Sequence, residues 1–135
     1  MKSESMKFTV KSVLVDDPKK LIPLIGGNVQ LVTAECIEEV IFAALLAIRA
    51  FKRGTNHAKT YGGELLLRLA GTNQIKVAIE KNGVKRGLNY LICFETPEQC
   101  SKFLLKTGLV EVTPPKCNKE NLKALMEKSA LVETL

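Results

Sequence analysis

One stretch of the sequence combines residue types suited to binding an anion: RLAGTNQIKVAIEKNG, residues 68–83. The pattern predicts a strand that ends at Leu69, a tight turn at Gly71, and a helix over residues 73–82 that Thr72 caps. The first N–H groups of a helix lack partners within it, and the helix dipole adds positive charge there, so such junctions often bind phosphate. The same pattern also serves simply to turn the chain.

Residues able to catalyse a reaction are sparse. His57 is the only imidazole, no acidic pair has a diagnostic spacing, and no serine stands in a nucleophile-elbow context. A Cys and His dyad stays open, because such partners meet only in the folded chain. The cysteines form no C-x-x-C pair, so we predict no metal site and no cofactor, and we expect free thiols in a reducing compartment. They are Cys36, Cys93, Cys100 and Cys117.

Positive charge is concentrated in one part of the chain. The net charge is +6, and residues 49–86 contain nine basic and two acidic residues, a local net charge of +7. The remainder is therefore close to neutral. Such a distribution favours an acidic partner, with nucleic acid as the leading candidate, over a merely solvated basic surface. The basic residues are Arg49, Lys52, Arg53, Lys59, Arg68, Lys76, Lys81, Lys85 and Arg86.

Strand and helix patterns alternate along the chain. We predict strands over residues 7–15, 29–32, 64–69, 88–94 and 109–112. We predict helices over residues 18–25, 35–53, 73–82 and 97–106, and a last one from an Asn118 cap to about Ala130. Thr33 is a candidate N-cap of the long helix, and Thr96-Pro97-Glu98-Gln99 matches a capping box.

These elements predict a single compact α/β domain over residues 1–135, with a mixed, largely antiparallel sheet flanked by helices on both faces. The nucleotide-binding patterns G-x-G-x-x-G and G-x-x-x-x-G-K-[ST] are absent. The longest strongly apolar run, residues 40–48, is too short to span a membrane, and the N-terminal residues do not resemble a secretion signal. We therefore expect a cytoplasmic protein.

The basic segment and the Gly71 junction together indicate a site for unpaired nucleotides. Lys59, Arg68 and Lys76 are predicted to converge on the junction, and Ile75 lies near a helix start where its side chain can stay exposed. Cationic groups beside an exposed flat or apolar side chain suit a single nucleic-acid strand. Tyr61 is the one aromatic residue placed to add a stacking surface.

Residues 47–84, AIRAFKRGTNHAKTYGGELLLRLAGTNQIKVAIEKNGV, resemble the signature region of the small kinase-binding subunit of the KEOPS (EKC) complex, called the PRPK-binding protein family in animals. The resemblance rests on a long helix ending in a basic patch, then Asn56-His57-Ala58, a Leu-rich segment, and Leu69-Ala70-Gly71-Thr72-Asn73-Gln74-Ile75 leading into a helix closed by Gly83. The element order suits a compact archaeal-type member.

The resemblance implies a non-catalytic regulatory subunit. The family's complex makes N6-threonylcarbamoyladenosine on tRNA, and the chemistry belongs to other subunits. The family member binds and stimulates an atypical kinase that acts as an ATPase, and it helps recruit tRNA through the single-stranded 3′ CCA end. Contacts with the remaining KEOPS subunits would be indirect.

The resemblance also implies which residues bind tRNA. The helix start at Thr72-Asn73 and the side chains of Lys59, Arg68 and Lys76 would contact phosphate or ribose, and Ile75 would lie against a base.

A kinase partner needs an apolar surface of its own. Leu122, Leu125 and Met126 share one face of the last helix, and Phe42 and Leu46 lie off the main apolar face of the long helix. Either set can instead pack on the protein itself. The resemblance favours the set on the last helix, because the family uses an apolar helical surface to bind the kinase.

Two other functions stay open at this point. The first is an enzyme or sensor for a small molecule or anion, which would use the helix N-terminus at Gly71-Thr72. The second is a structural adaptor for which the local charge is incidental.

Overall fold

The computed structural model of the protein describes residues 7–135, so the N-terminal residues on which the secretion prediction rests lie outside it. Its strands are β1 (Thr9–Val15), β2 (Val29–Val32), β3 (Gly87–Cys93) and β4 (Val110–Glu111). Its helices are α1 (Pro18–Leu21), α2 (Ile37–Arg53), α3 (Tyr61–Ala70), α4 (Ile75–Asn82), α5 (Pro97–Thr107) and α6 (Lys119–Leu131), with 3-10 turns at Ile22–Leu24 and Val132–Thr134.

The four strands form one sheet in the order β2-β3-β1-β4. Each pair in it is antiparallel, with Thr9 opposite Cys93 and Val29 also opposite Cys93. Side chains alternate between the faces of the sheet, as strand geometry requires. Tyr90, Ile92 and Phe94 therefore pack on one side, and Leu91 and Cys93 on the other.

Helices cover both faces of this sheet. The core on the Tyr90 side is built with α2, α3, α4 and the end of the chain, and the core on the Leu91 side is built with α1 and α5. The predicted α/β class, with a largely antiparallel sheet between helices, is confirmed. Within residues 7–135, no helix has both the length and the apolar composition to cross a membrane.

The prediction of a strand over residues 64–69 is wrong, since these residues belong to α3. The Thr60 Oγ1 atom accepts the N–H of Gly63 at 3.0 Å, and Gly71 ends the helix with φ +73°. The helix lies between α2, α4 and α6, so every residue from 64 to 70 is buried. A helix buried on all sides needs no polar face, and its run of leucines then reads like that of a strand buried on both faces.

The predicted helix boundaries agree where a glycine or a cap marks them. Thr96 caps α5, since its Oγ1 accepts the N–H of Gln99 at 3.3 Å, and Gly54 and Gly108 end α2 and α5 with positive φ. The predicted Thr33 cap is wrong, because α2 begins after Cys36 and the Thr33 hydroxyl donates to the carbonyl of Gly83.

The expectation of four free thiols is wrong for two of them. Cys36 and Cys117 form a disulfide with a Cα–Cα distance of 5.2 Å, which joins the start of α2 to the residue before the Asn118 cap of α6. The third potential metal ligand near these sulfurs is Glu38, but paired sulfurs offer no thiolate to a metal. Cys93 and Cys100 are free and buried.

Candidate nucleic-acid interface

The basic segment lies mostly at the surface. Eight of the nine basic residues between positions 49 and 86 are exposed, including Lys59 and Lys76, and Arg68 is the exception. The positive charge of the segment is therefore accessible to a polyanion.

Lys59 belongs to a loop, residues 56–60, whose backbone is held by a buried carboxylate. The N–H groups of His57 and Ala58 both donate to Glu64 Oε1, each at 2.8 Å. The Asn56 side-chain amide adds a bond to the carbonyl of Ala58 at 2.9 Å. These bonds fix the backbone beside Lys59 and leave the Lys59 side chain exposed.

Gly63 lies between Ile75 and this loop, and because it has no side chain, the two can lie close together. A Cβ atom placed on Gly63 would lie 3.1 Å from the Cβ of Ala58 and 3.8 Å from the Cδ1 of Ile75. The Ile75 side chain remains 44% exposed. The structure therefore brings an exposed apolar side chain to the loop that carries Lys59, and exposed Lys76 follows directly in the chain.

The start of α4 differs from the predicted one by two residues. The N-cap is Gln74, no side chain among the described residues caps it, and the Thr72 hydroxyl oxygen accepts the N–H of Gln74 at 3.1 Å. The predicted capping role of Thr72 is therefore wrong. Asn73 is exposed beside this turn, and the first N–H groups of α4 are free of a side-chain cap.

Gly71 itself offers little to an anion. It joins two helices, and its N–H and that of Thr72 both donate to the carbonyl of Leu67, at 2.9 and 3.2 Å. Lys128 of α6 covers the turn, since a Cβ atom on Gly71 would lie 2.6 Å from the Lys128 Cγ atom. The N–H groups of Gly71 and Thr72 are therefore already used inside the protein.

Arg68 does not reach the surface, so the structure contradicts the prediction that its side chain contacts RNA directly. The guanidinium group is fully buried between two carboxylates. Nε and Nη2 lie 3.0 and 2.9 Å from Glu64 Oε2, and Nη1 lies 2.9 Å from Glu133 Oε1. Arg68 thus links α3 to the C-terminal turn and is shielded from solvent.

The outer carboxylate of this network is ionised more readily than an ordinary glutamate. A hydrogen bond from Thr55 and the adjacent Arg68 guanidinium lower the pKa of Glu133 below its usual value. The Arg68 guanidinium therefore has an anionic partner on its outer side.

His57 and Tyr61 are both engaged by the protein. The Nε2 atom of His57 lies 3.1 Å from the carbonyl oxygen of Val132, so the imidazole faces the C-terminal turn. The Tyr61 ring packs 4.5 Å from Phe51 and 5.5 Å from Phe94, between ring centroids. The Cys100 thiol lies against Cys93 and the carbonyl of Thr9, so among the described residues it forms no dyad with His57.

Sequence reasoning missed the role of Glu64, which holds both the loop and Arg68. The only signal was its spacing of four residues from Arg68, which places an acid and a base on one helical face. That signal was hidden by the assignment of the segment to a strand.

Apolar side chains on two helices form candidate partner surfaces. Leu122, Leu125 and Met126 are half-buried where α6 packs on α2 and α3, so they are only partly available to a partner. On α2 the exposed apolar side chains are Ile41 and Leu45, whereas the predicted Phe42 and Leu46 are half-buried.

The chain is similar over most of its length to a protein from an archaeon. It is 43% identical over 120 residues to the KEOPS complex subunit Cgi121 of Pyrococcus abyssi (strain GE5 / Orsay), and the matched region covers 87% of this chain and 70% of the relative. No protein-family model matches the chain.

Proposed function

The chain belongs to the family of KEOPS complex subunit Cgi121, and on this basis we propose that it is a non-catalytic subunit that binds the 3′ CCA end of tRNA and a kinase partner. In this proposal it recruits tRNA for N6-threonylcarbamoyladenosine formation and stimulates the ATPase activity of the atypical kinase. It works in the cytoplasm without a cofactor of its own.

The observation that carries the tRNA proposal is the proximity of Ile75 to loop 56–60 across Gly63. In this proposal the exposed Ile75 side chain supports one face of an unpaired base, and the exposed Lys59 and Lys76 neutralise phosphates beside it. The first N–H groups of α4, which no described side chain caps, offer further donors to a phosphate. Asn73 and Thr72 flank these donors.

A comparison of two RNAs tests this proposal. Full-length tRNA is expected to bind more tightly than the same tRNA without its 3′ CCA, and Ile75→Glu should weaken binding of the full-length tRNA by about tenfold, the scale of one lost base contact. Affinities are measured by fluorescence anisotropy across a salt series.

Ile79→Glu is the matched control for that substitution. Ile79 lies one turn further along α4 and is 53% exposed, against 44% for Ile75, so both variants add the same charge at similar exposure. The Ile79 variant should lose far less affinity. Equal binding of the two RNAs by the wild-type protein would refute the CCA proposal.

The kinase proposal rests on Leu122, Leu125 and Met126. Substituting Leu122 and Met126 together with arginine should abolish kinase binding in a pull-down or by calorimetry, because arginine side chains would prevent an apolar helix face from docking. These two residues are half-buried, so circular dichroism must show that the variant is folded.

Leu105→Arg is the control for that experiment, because Leu105 is 85% exposed on α5, which packs on the other face of the sheet. It should bind the kinase normally. A folded double variant that still binds would exclude this surface, and loss of the fold would show that the residues belong to the core.

A further inference from the structure

The carboxylate of Glu64 lies at the centre of a network that joins loop 56–60 and α3 to the C-terminal turn. Its Oε1 atom accepts the N–H groups of His57 and Ala58, and its Oε2 atom faces Arg68, whose other side faces Glu133. Glu64 and Arg68 are both fully buried. A buried ion pair is costly to form and is seldom the most stable filling of a core, so its presence here calls for a role other than stability alone.

The position of this carboxylate indicates that role. The two N–H groups that it binds directly precede Lys59, and no acceptor among residues 7–135 binds the backbone N–H of Lys59 or of Thr60. Glu64 therefore provides the anchor for a loop that otherwise lies at the surface. Because a Cβ atom on Gly63 would lie close to both Ala58 and Ile75, the anchor holds the loop near the apolar part of the interface.

We propose that Glu64 is the positioning residue of the RNA-binding loop, and that Arg68, which also binds Glu133 of the C-terminal turn, holds the Glu64 carboxylate in place. This inference rests on the proposed function, since it assigns a role within that site. Neither residue touches RNA. Glu64 fixes the backbone at His57 and Ala58, so Lys59 reaches the phosphates while Ile75 contacts the base.

The anchoring can be measured without RNA, by amide hydrogen exchange on the wild-type protein resolved by NMR. The N–H groups of His57 and Ala58 should exchange at least about tenfold more slowly than those of Asn56 and Lys59 in the same loop. Equal exchange at all four positions would overturn the proposal, because the loop would then not be held by this carboxylate.

A variant with an unchanged net charge tests the effect on RNA. Glu64→Met/Arg68→Met replaces the buried ion pair with apolar side chains of similar length, a change that folded proteins tolerate. It removes one negative and one positive charge, so nonspecific attraction of RNA stays the same. It also removes the acceptor for His57 and Ala58, whose exchange should become as fast as that of Asn56.

The expected result is a loss of discrimination between the two RNAs. For this variant, the dissociation constant of the truncated tRNA should be no more than about twice that of the full-length tRNA. The affinity for the truncated tRNA itself should be unchanged. Lys59→Ala, by contrast, should weaken the binding of full-length tRNA and reduce the magnitude of its salt slope by about 0.7, because it deletes a phosphate contact.

The outcomes separate the two proposals. A wild-type protein that binds both RNAs equally refutes the proposed function, and the exchange data still decide whether Glu64 anchors the loop. A folded Met/Met variant that keeps the wild-type ratio of the two dissociation constants overturns the positioning role. Glu64→Gln, which keeps an acceptor but loses the ionic partner of Arg68, should give an intermediate ratio.

Discussion

Replacement of Cys117 by serine should lower the free energy of unfolding by about 4 kcal/mol under non-reducing conditions. The disulfide joins residues 81 positions apart, so it removes a large part of the conformational freedom of the unfolded chain. Cys117 is half-buried and outside regular structure, whereas Cys36 is in the core, so the Cys117 variant isolates the effect of the bond. Urea titration of both proteins gives the difference.

Reductant provides the control for this prediction. With dithiothreitol present, the wild-type protein should unfold at the same urea concentration as Cys117→Ser without it, since both lack the bond. The intact mass of each sample verifies its oxidation state. The expectation would be contradicted if the free energies of unfolding of the oxidised wild type and of the variant differed by less than about 0.5 kcal/mol.

Arg68→Ala should destabilise the protein by about 3 to 5 kcal/mol. The substitution leaves Glu64 as a buried carboxylate without its cationic partner and opens a cavity in the middle of α3. The free energy of unfolding is measured by chemical denaturation near neutral pH.

Lys76→Ala is the control for a basic residue of the same segment at an exposed site, and it should change stability by less than about 0.5 kcal/mol. If Arg68→Ala is as stable as Lys76→Ala and mainly reduces the salt dependence of tRNA binding, Arg68 contacts RNA as the sequence first indicated. A large loss of stability with little change in the salt dependence of tRNA binding would assign Arg68 to the interior.

The reliable predictions from sequence were those with a local physical cause. Thr96 and Gly108 specify both ends of α5 through a side-chain cap and a positive φ, which depend only on neighbouring residues. The strands of the sheet were recognised from their β-branched and aromatic residues, and the α/β class followed from their order. Exposure of Ile75, Lys59 and Lys76 was also anticipated.

The failures concern properties that the whole fold decides. The leucines of α3 look like a buried strand because α2, α4 and α6 surround the helix, and no local pattern reports those neighbours. Arg68 was predicted to converge with Lys59 and Lys76 on the Gly71 junction, whereas the carboxylates on both of its sides make its burial possible. The disulfide joins residues too far apart in the sequence for spacing to reveal it.

Tyr61 occupies the first position of α3, directly after loop 56–60, and its ring packs between Phe51 and Phe94. The chain contains one other tyrosine, the buried Tyr90, and no tryptophan. Ultraviolet emission of the protein therefore comes from one fluorophore beside the loop and one inside the sheet. An unlabelled sample can thus report a rearrangement of the loop through Tyr61 alone, and global unfolding through both rings.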